Sequence, residues 1–162
     1  MKEDDFTAAA RRLGRLCKRR RVVLAVAESC TGGGLAEAIT RISGSSAWFD
    51  RGLVTYTNDA KRELLGVRSL TLKRHGAVSE EVAREMAAGV LKRSPADVSA
   101  AITGIAGPGG GSRAKPVGLV WIAWARRGGP VLAHEFHFPG NRMAVRRKSV
   151  SAAIQGLTAL LG

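Results

Sequence analysis

The feature that most constrains the fold is a strand-like segment that leads through a glycine-rich turn into a helix. Residues Val22–Ala27 form an unbroken apolar run with several β-branched side chains, and such a run predicts a strand buried on both faces. The polar, glycine-rich segment Glu28–Gly34 follows, and Leu35 and Ile39 come next at helical spacing before Gly44. A strand, a tight turn and a helix in this order are typical of α/β proteins.

The rest of the chain continues this alternation of strands and helices. Apolar periodicity and cap residues predict further strands over 48–57, 98–103, 117–126 and 130–138, and helices over 3–20, 58–66, 79–95 and from about 150 onward. Asn58 is the expected N-cap of its helix, and Arg127-Gly128-Gly129 predicts a hairpin turn. Helices on both faces of one mixed sheet are therefore expected.

The composition is typical of one globular domain. The chain has 162 residues, 45% hydrophobic and 24% charged, so we expect one domain over residues 1–162 and not a disordered chain. No apolar run approaches the ~20 residues that a membrane-spanning helix needs, and the acidic start, Met1–Asp5, is not expected to be a signal peptide. Cys17 and Cys30 fit no redox or zinc motif, so we expect two small buried side chains in a reducing, cytoplasmic compartment.

The net charge of +13 raises the question of nucleic-acid binding. Arginine supplies 19 of the 26 positive charges, which favours bidentate binding of phosphate or carboxylate. The densest basic runs, 18–21 and 142–148, contain no aromatic residue that could stack on a base. We therefore expect a solvated basic face that attracts anions in general, with no specific nucleic-acid site and no membrane contact.

Polar side chains follow three of the predicted strands at the points where the strands end. Ser29 follows the first strand, and Tyr56 lies near the end of the second, five residues before Lys61. Thr103 ends a third strand and precedes the glycine-rich loop 104–112. Ligands of open α/β sheets bind outside the carboxyl ends of the strands. If the three strands are parallel neighbours, these side chains meet at one edge of the sheet.

Ser29 has two interpretations. The segment Gly32-Gly33-Gly34 at a helix start would expose backbone N–H groups that stabilise an oxyanion, and a serine just before them is placed to act as a nucleophile. Alternatively, Ser29 or Thr31 serves only as the N-cap of that helix. The residue types alone favour neither interpretation.

A serine nucleophile needs a base, and no sequence pattern indicates that a histidine of this chain has that role. His134 and His137 lie three residues apart on a predicted strand, so they face opposite sides and cannot share one metal ion. His75 lies in a polar stretch. Lys61 is the alternative base if burial lowers its pKa, whereas a solvated lysine on a helix is the simpler interpretation.

Five motifs occur in order along the chain. They are Ala27-Glu28-Ser29-Cys30-Thr31-Gly32-Gly33, Val54-Thr55-Tyr56 with Asn58 and Lys61, Gly76-Ala77-Val78-Ser79, Thr103-Gly104-Ile105-Ala106-Gly107-Pro108, and Lys115-Pro116-Val117-Gly118. Together they resemble the CinA C-terminal domain family, the nicotinamide-nucleotide amidohydrolases, over nearly the whole chain. The resemblance implies a three-layer α/β/α sandwich with a mixed, mostly parallel sheet of about five strands. It also implies hydrolysis of nicotinamide mononucleotide to nicotinate mononucleotide and ammonia, with no metal or cofactor.

The resemblance further implies a role for each site residue. Ser29 is the implied nucleophile, Lys61 its base, and Tyr56 a residue that orients Lys61 or relays a proton. The implied oxyanion donors are the backbone N–H groups of Thr31, Gly32 and Gly33. The implied substrate-binding residues are Thr103, Gly104, Ile105, Ala106, Gly107 and Arg142, the last as the partner of the phosphate. Asn141 departs from the family, which often has Asp there.

Two other functions remain open at this point. One is a non-catalytic nucleotide-binding module, or an accessory module in competence or DNA damage, which the family's competence name suggests. The other is a DNA-binding protein driven by charge, which would show steeply salt-dependent binding to duplex DNA. The resemblance also implies a homodimer or larger assembly.

Overall fold

The computed structural model describes residues 3–162, with side chains from Phe6 onward. The helices are α1 (Glu3–Arg20), α2 (Gly34–Thr40), α3 (Asn58–Leu65), α4 (Ser69–His75), α5 (Glu80–Lys92) and α6 (Arg142–Leu161). The strands are β1 (Leu24–Glu28), β2 (Phe49–Val54), β3 (Val98–Gly104), β4 (Leu119–Arg126) and β5 (Val131–His137). A short 3-10 helix, Ser45–Ala47, precedes β2.

The five strands form one mixed sheet in the order β2-β1-β3-β4-β5. β1 pairs in parallel with β2 and β3, whereas β4 pairs antiparallel with both β3 and β5. β4 therefore runs opposite to the other four strands, which confirms the predicted mixed sheet. The parallel arrangement of β1, β2 and β3 brings their carboxyl ends to one edge, which is the condition under which the polar side chains after these strands were expected to meet.

Helices cover both faces of the sheet because successive residues of a strand face opposite sides. Leu24 and Val26 of β1 pack in the core beneath α1, α2 and α6. Ala25 and Ala27 face the second core, which contains Met86 of α5. The alanines leave little side chain between sheet and helix on that face. The result is the expected three-layer α/β/α sandwich.

The contact between α5 and α3 holds the helix that carries Lys61. Gly89 lies inside α5, where glycine costs helix stability about 1 kcal/mol relative to alanine. A Cβ atom at Gly89 would overlap the main-chain carbonyl oxygen of Leu65 at the end of α3. The missing side chain therefore lets the two helices approach closely and sets the position of α3.

The helix boundaries differ from the predictions in several places, and α2 already ends at Thr40, before the expected stop at Gly44. Residues 69–75 form α4, which the sequence did not reveal because the segment is too short to show a period. The prediction that Asn58 caps α3 was wrong, since the Thr57 hydroxyl accepts from the backbone N–H of Ala60 at 3.1 Å. The last helix begins at Arg142, well before the predicted apolar stretch.

The strand boundaries also shift slightly. β1 is Leu24–Glu28 instead of 22–27, and β2 ends at Val54, so Tyr56 lies beyond the strand. Cys17 and Cys30 are buried free thiols, as expected. No helix in the described part of the chain has the length and apolar character needed to cross a bilayer.

Candidate active site

Ser29 lies just beyond the carboxyl end of β1, where the chain turns toward α2. Its backbone N–H donates to the carbonyl oxygen of Ile102 in β3 at 3.0 Å, and its own carbonyl oxygen accepts from the N–H of Gly32 at 3.0 Å. Gly32 (φ 57°) and Gly33 (φ 96°) have left-handed backbone conformations, which other residues rarely adopt. The glycines therefore make the turn possible. Ser29 itself is only 9% exposed.

Lys61 reaches Ser29 from α3. Its Nζ lies 3.0 Å from Ser29 Oγ and donates to the carbonyl oxygen of Thr55 at 2.9 Å. Lys61 is 1% exposed, and no carboxylate among the described side chains forms an ion pair with it. Burial lowers the pKa of Lys61 from its ordinary value of 10.5 because the ammonium form is poorly solvated there. The arrangement favours a neutral amine beside the serine hydroxyl.

Cys30, the residue after Ser29, is a second candidate nucleophile by chemistry alone. Burial raises the pKa of its thiol to about 11. Because the thiolate and not the thiol is the nucleophile, Cys30 is inert near neutral pH.

Tyr56 and Arg142 lie together on one side of the site. Arg142 donates from Nη1 to the carbonyl oxygen of Gly107 and from Nη2 to the Tyr56 hydroxyl, both at 2.8 Å. Tyr56 is 56% exposed, and its hydroxyl contacts Arg142. The group that holds Lys61 from this segment is the carbonyl of Thr55.

Asn141, the departure from the family pattern, caps α6. Its Oδ1 accepts from the backbone N–H of Ala144 at 2.9 Å. Asparagine and aspartate are comparably good in this role. Arg142 is thus presented by a well-capped helix start.

The glycine-rich loop after β3 forms another wall of the site. Thr103 is buried, and its hydroxyl donates to the carbonyl oxygen of Ala77 at 2.8 Å. Gly104 still pairs with β4, and the backbone N–H of Ile105 donates to the carbonyl oxygen of Leu119 at 2.8 Å. The start of the loop is therefore anchored to the sheet.

A cleft of about 260 Å³ brings most of the sequence-predicted residues together. Its lining includes Ser29, Tyr56, Lys61, Thr103, Gly104, Ile105, Ala106, Gly107 and Arg142. Thr31, Gly32 and Gly33 lie outside this lining. Within residues 3–162, no group of three or more His, Cys, Asp or Glu side chains is arranged to hold a metal ion.

Glu28 is a buried residue of the site to which sequence reasoning assigned no role. It lies immediately before Ser29, and its carboxylate accepts hydrogen bonds from Thr31, Leu35 and Ala36. A signal was present in the sequence, because an acidic residue directly follows an apolar run that predicts a fully buried strand.

Comparison with known proteins gives consistent results. The family model of the CinA C-terminal domain matches residues 6–161. Nicotinamide-nucleotide amidohydrolase PncC of Escherichia coli (strain K12) is 49% identical over 97% of this chain and 95% of its own length. The protein of the same name from Pseudomonas putida is 50% identical over 97% of this chain and 98% of its own length. The crystal structure of competence/damage inducible protein CihA from Agrobacterium tumefaciens has a TM-score of 0.96 and 48% identity, covering 100% of this chain and 99% of that one.

Proposed function

Because the chain belongs to the CinA C-terminal domain family, we propose that it hydrolyses the carboxamide of nicotinamide mononucleotide to nicotinate mononucleotide and ammonia. The relatives at 49% and 50% identity are named for the hydrolysis of a nicotinamide nucleotide. The observation that carries the proposal is the 3.0 Å contact between Lys61 Nζ and Ser29 Oγ in a buried setting.

The first half of the proposed reaction forms an acyl-enzyme. Ser29 Oγ attacks the carboxamide carbon while its proton passes to Lys61 Nζ, which the desolvation of Lys61 keeps available as a neutral base. The carbonyl oxygen becomes an oxyanion. The tetrahedral intermediate then expels ammonia, which takes its third proton from Lys61.

The second half hydrolyses the acyl-enzyme. Water attacks the ester carbon, and Lys61 Nζ accepts a proton from that water. Ser29 leaves with the proton from Lys61, and nicotinate mononucleotide forms as the carboxylic acid, which gives its remaining proton to solvent or to the released ammonia and departs as the carboxylate. Lys61 supplies the base in both halves, so the proposed mechanism is metal-independent.

Backbone N–H groups of the turn supply the proposed oxyanion site. The N–H of Gly32 already donates to the Ser29 carbonyl. No backbone carbonyl oxygen in the described part of the chain accepts from the N–H groups of Cys30 and Thr31. They therefore remain available to the oxyanion, and one such donor is typically worth about 2.7–4 kcal/mol in the transition state.

The nucleotide portion of the substrate is proposed to lie along Thr103 and the loop over 104–107. Arg142 is the proposed partner of the phosphate, because a guanidinium has five N–H donors and only two bonds from it occur to described residues. The Tyr56 hydroxyl accepts a hydrogen bond from Arg142 and would orient the guanidinium toward the phosphate.

Replacing Arg142 with alanine is expected to raise KM for nicotinamide mononucleotide about 10- to 100-fold, the loss of one or two charged hydrogen bonds. The ratio of kcat/KM between the mononucleotide and nicotinamide riboside, measured for both proteins, checks this. The riboside lacks the phosphate, so its KM is expected to change little. An equal loss for the two substrates would contradict phosphate binding by Arg142.

Ammonia release by protein treated with a chelator tests the reaction itself. We expect the treated protein to release ammonia and nicotinate mononucleotide in equal amounts and at the rate of the untreated protein. Loss of activity that added divalent metal restores would contradict the metal-independent mechanism.

We propose in addition that the protein is a cytoplasmic homo-oligomer, a dimer or larger, as the family resemblance implies. Light scattering on the purified protein measures the mass of the particle directly, and a mass of 17.1 kDa, that of one chain, would contradict it.

A further inference from the structure

Glu28 is a carboxylate in an unusual place. It is 0% exposed, and acidic side chains are almost never fully buried unless they are paired. No lysine or arginine among the described side chains forms an ion pair with it. Uncharged hydrogen-bond donors contact its carboxylate instead of a cation. Oε1 accepts from the Thr31 hydroxyl at 2.6 Å and from the Leu35 N–H at 2.8 Å, and Oε2 accepts from the Ala36 N–H at 3.1 Å.

These bonds join the end of β1 to the first turn of α2 across the segment that contains Ser29. The residue before α2, Gly33, has no side chain that could cap the helix. Glu28 satisfies two of the N–H groups that a helix start leaves without partners. The turn over residues 29–33 is therefore held at both ends by one side chain.

Thr31 is also held from a second direction. Arg146 of α6 donates from Nη2 to the Thr31 carbonyl oxygen at 3.2 Å. The Thr31 hydroxyl and carbonyl group are thus both fixed, the first by Glu28 and the second by Arg146. Its N–H and that of Cys30 donate to no backbone carbonyl oxygen within residues 3–162.

We propose that Glu28 is a positioning residue, which acts through Thr31 to aim the N–H groups of Cys30 and Thr31 at the oxyanion. The inference rests on the proposed function, because it assigns those N–H groups to the tetrahedral intermediate. Oxyanion donors must be in place before the charge develops. A turn whose position is already held by hydrogen bonds to the protein therefore stabilises the transition state more than it stabilises the bound substrate.

The chemistry of the contacts requires a carboxylate. Three donors meet at Glu28, and each of its two oxygens accepts at least one of them. Glutamine would replace one oxygen with an NH₂ group, which is itself a donor and would face a donor of the protein. Glu28→Gln therefore disturbs the turn without changing the size of the side chain.

The most direct test compares Thr31→Val with Thr31→Ser. Valine keeps the shape of Thr31 but loses the hydroxyl that meets Glu28, whereas serine keeps it. We expect Thr31→Val to lower kcat for ammonia release about 10- to 100-fold, less than the loss of a whole oxyanion donor, with KM nearly unchanged. Thr31→Ser is expected to retain most of the wild-type kcat. Glu28→Gln is expected to lower kcat about as much as Thr31→Val does.

Thr40→Val is the matched control. Thr40 lies in the same helix, α2, and among the described residues its hydroxyl bonds only to the carbonyl groups of Ala36 and Glu37. A general loss of helix stability would lower kcat equally in Thr31→Val and Thr40→Val, and that result would overturn the proposal.

The pH at which activity rises should be the same in wild type and Thr31→Val, since Lys61 is untouched. A shifted pH profile in Glu28→Gln and Thr31→Val would overturn a purely positioning role.

A second measurement separates this inference from the proposed substrate. The rate at which a fluorophosphonate labels Ser29, followed by intact mass, depends on the activated serine and on the oxyanion donors but not on nicotinamide mononucleotide. If wild type releases no ammonia but labels faster than Thr31→Val, the substrate is wrong and the role of Glu28 stands. If wild type and Thr31→Val label equally fast, the role of Glu28 is overturned. If wild type is not labelled, the Ser29 nucleophile and the role of Glu28 both fall.

Discussion

Ammonia release from nicotinamide mononucleotide is expected to fall at least about 10⁴-fold when Ser29 is replaced by alanine, because loss of the nucleophile of a serine hydrolase removes most of its rate enhancement. Substrate affinity should be nearly unchanged, since the alanine removes one hydroxyl from a cleft lined by many other groups. Parallel measurements of kcat and of the dissociation constant for the substrate check both parts.

The matched control for this variant is Ser149→Ala. Ser149 is also buried, but its hydroxyl donates to the Val145 carbonyl oxygen within α6 at 2.7 Å. Its removal is expected to leave kcat within about twofold, since such back-bonding in a helix contributes little. Equal activity in Ser29→Ala and wild type would exclude Ser29 as nucleophile and direct attention to Thr103 or to an activated water.

Substrate binding without turnover in wild type would instead support the binding-module function. Tight, steeply salt-dependent binding to duplex DNA would support the third function, the charge-driven one.

The second large effect on kcat is expected when Lys61 is replaced by methionine. Methionine fills a similar volume but offers no lone pair to the Ser29 proton, so we expect kcat to fall at least about 10³-fold. In the wild type, kcat/KM should rise with pH as Lys61 loses its proton, with a midpoint below the ordinary value of 10.5. A pH–rate profile from about pH 6 to about pH 11.5 measures that limb. A rise centred at or above 10.5 would contradict Lys61 as a buried, neutral base.

The same variant has a predicted effect on stability. The unfolded chain protonates Lys61 below about pH 10.5, whereas the folded chain protonates it only below its lowered pKa. In the window between these values the unfolded state binds more protons, so the free energy of unfolding of the wild type decreases as pH falls through it. Lys61→Met lacks this contribution. Its free energy of unfolding relative to wild type should therefore increase from pH 10.5 downward, which denaturant titrations at several pH values measure.

Local patterns predicted most of the fold. The apolar run before Ser29 and the glycines after it dictate a strand and a tight turn, since both are properties of neighbouring residues. The glycine pair in Arg127-Gly128-Gly129 does form the turn between β4 and β5, with Gly128 at φ 71°. α4 was missed because seven residues are too few to show a helical period.

The site was only partly predictable, because contacts between distant residues leave no local pattern. Tyr56 was expected to act on Lys61, but its hydroxyl bonds to Arg142, 86 residues away. Thr103 lines the cleft and stays a predicted nucleotide contact, while its hydroxyl donates to the Ala77 carbonyl oxygen, 26 residues away. In both cases the residue lies in the predicted region, and the fold determines its partner.

By itself, the sequence determined the strand–turn–helix unit, the candidate residues Ser29 and Lys61, and the edge of the sheet where they meet. Only the tertiary structure decided that Lys61 lies 3.0 Å from a serine 32 residues away, with its ammonium form destabilised by burial. It also decided that Glu28, a buried side chain, holds the turn through its hydrogen bond with Thr31. Backbone conformation follows from neighbouring residues, whereas the burial that tunes a pKa depends on strands and helices brought together from the whole chain.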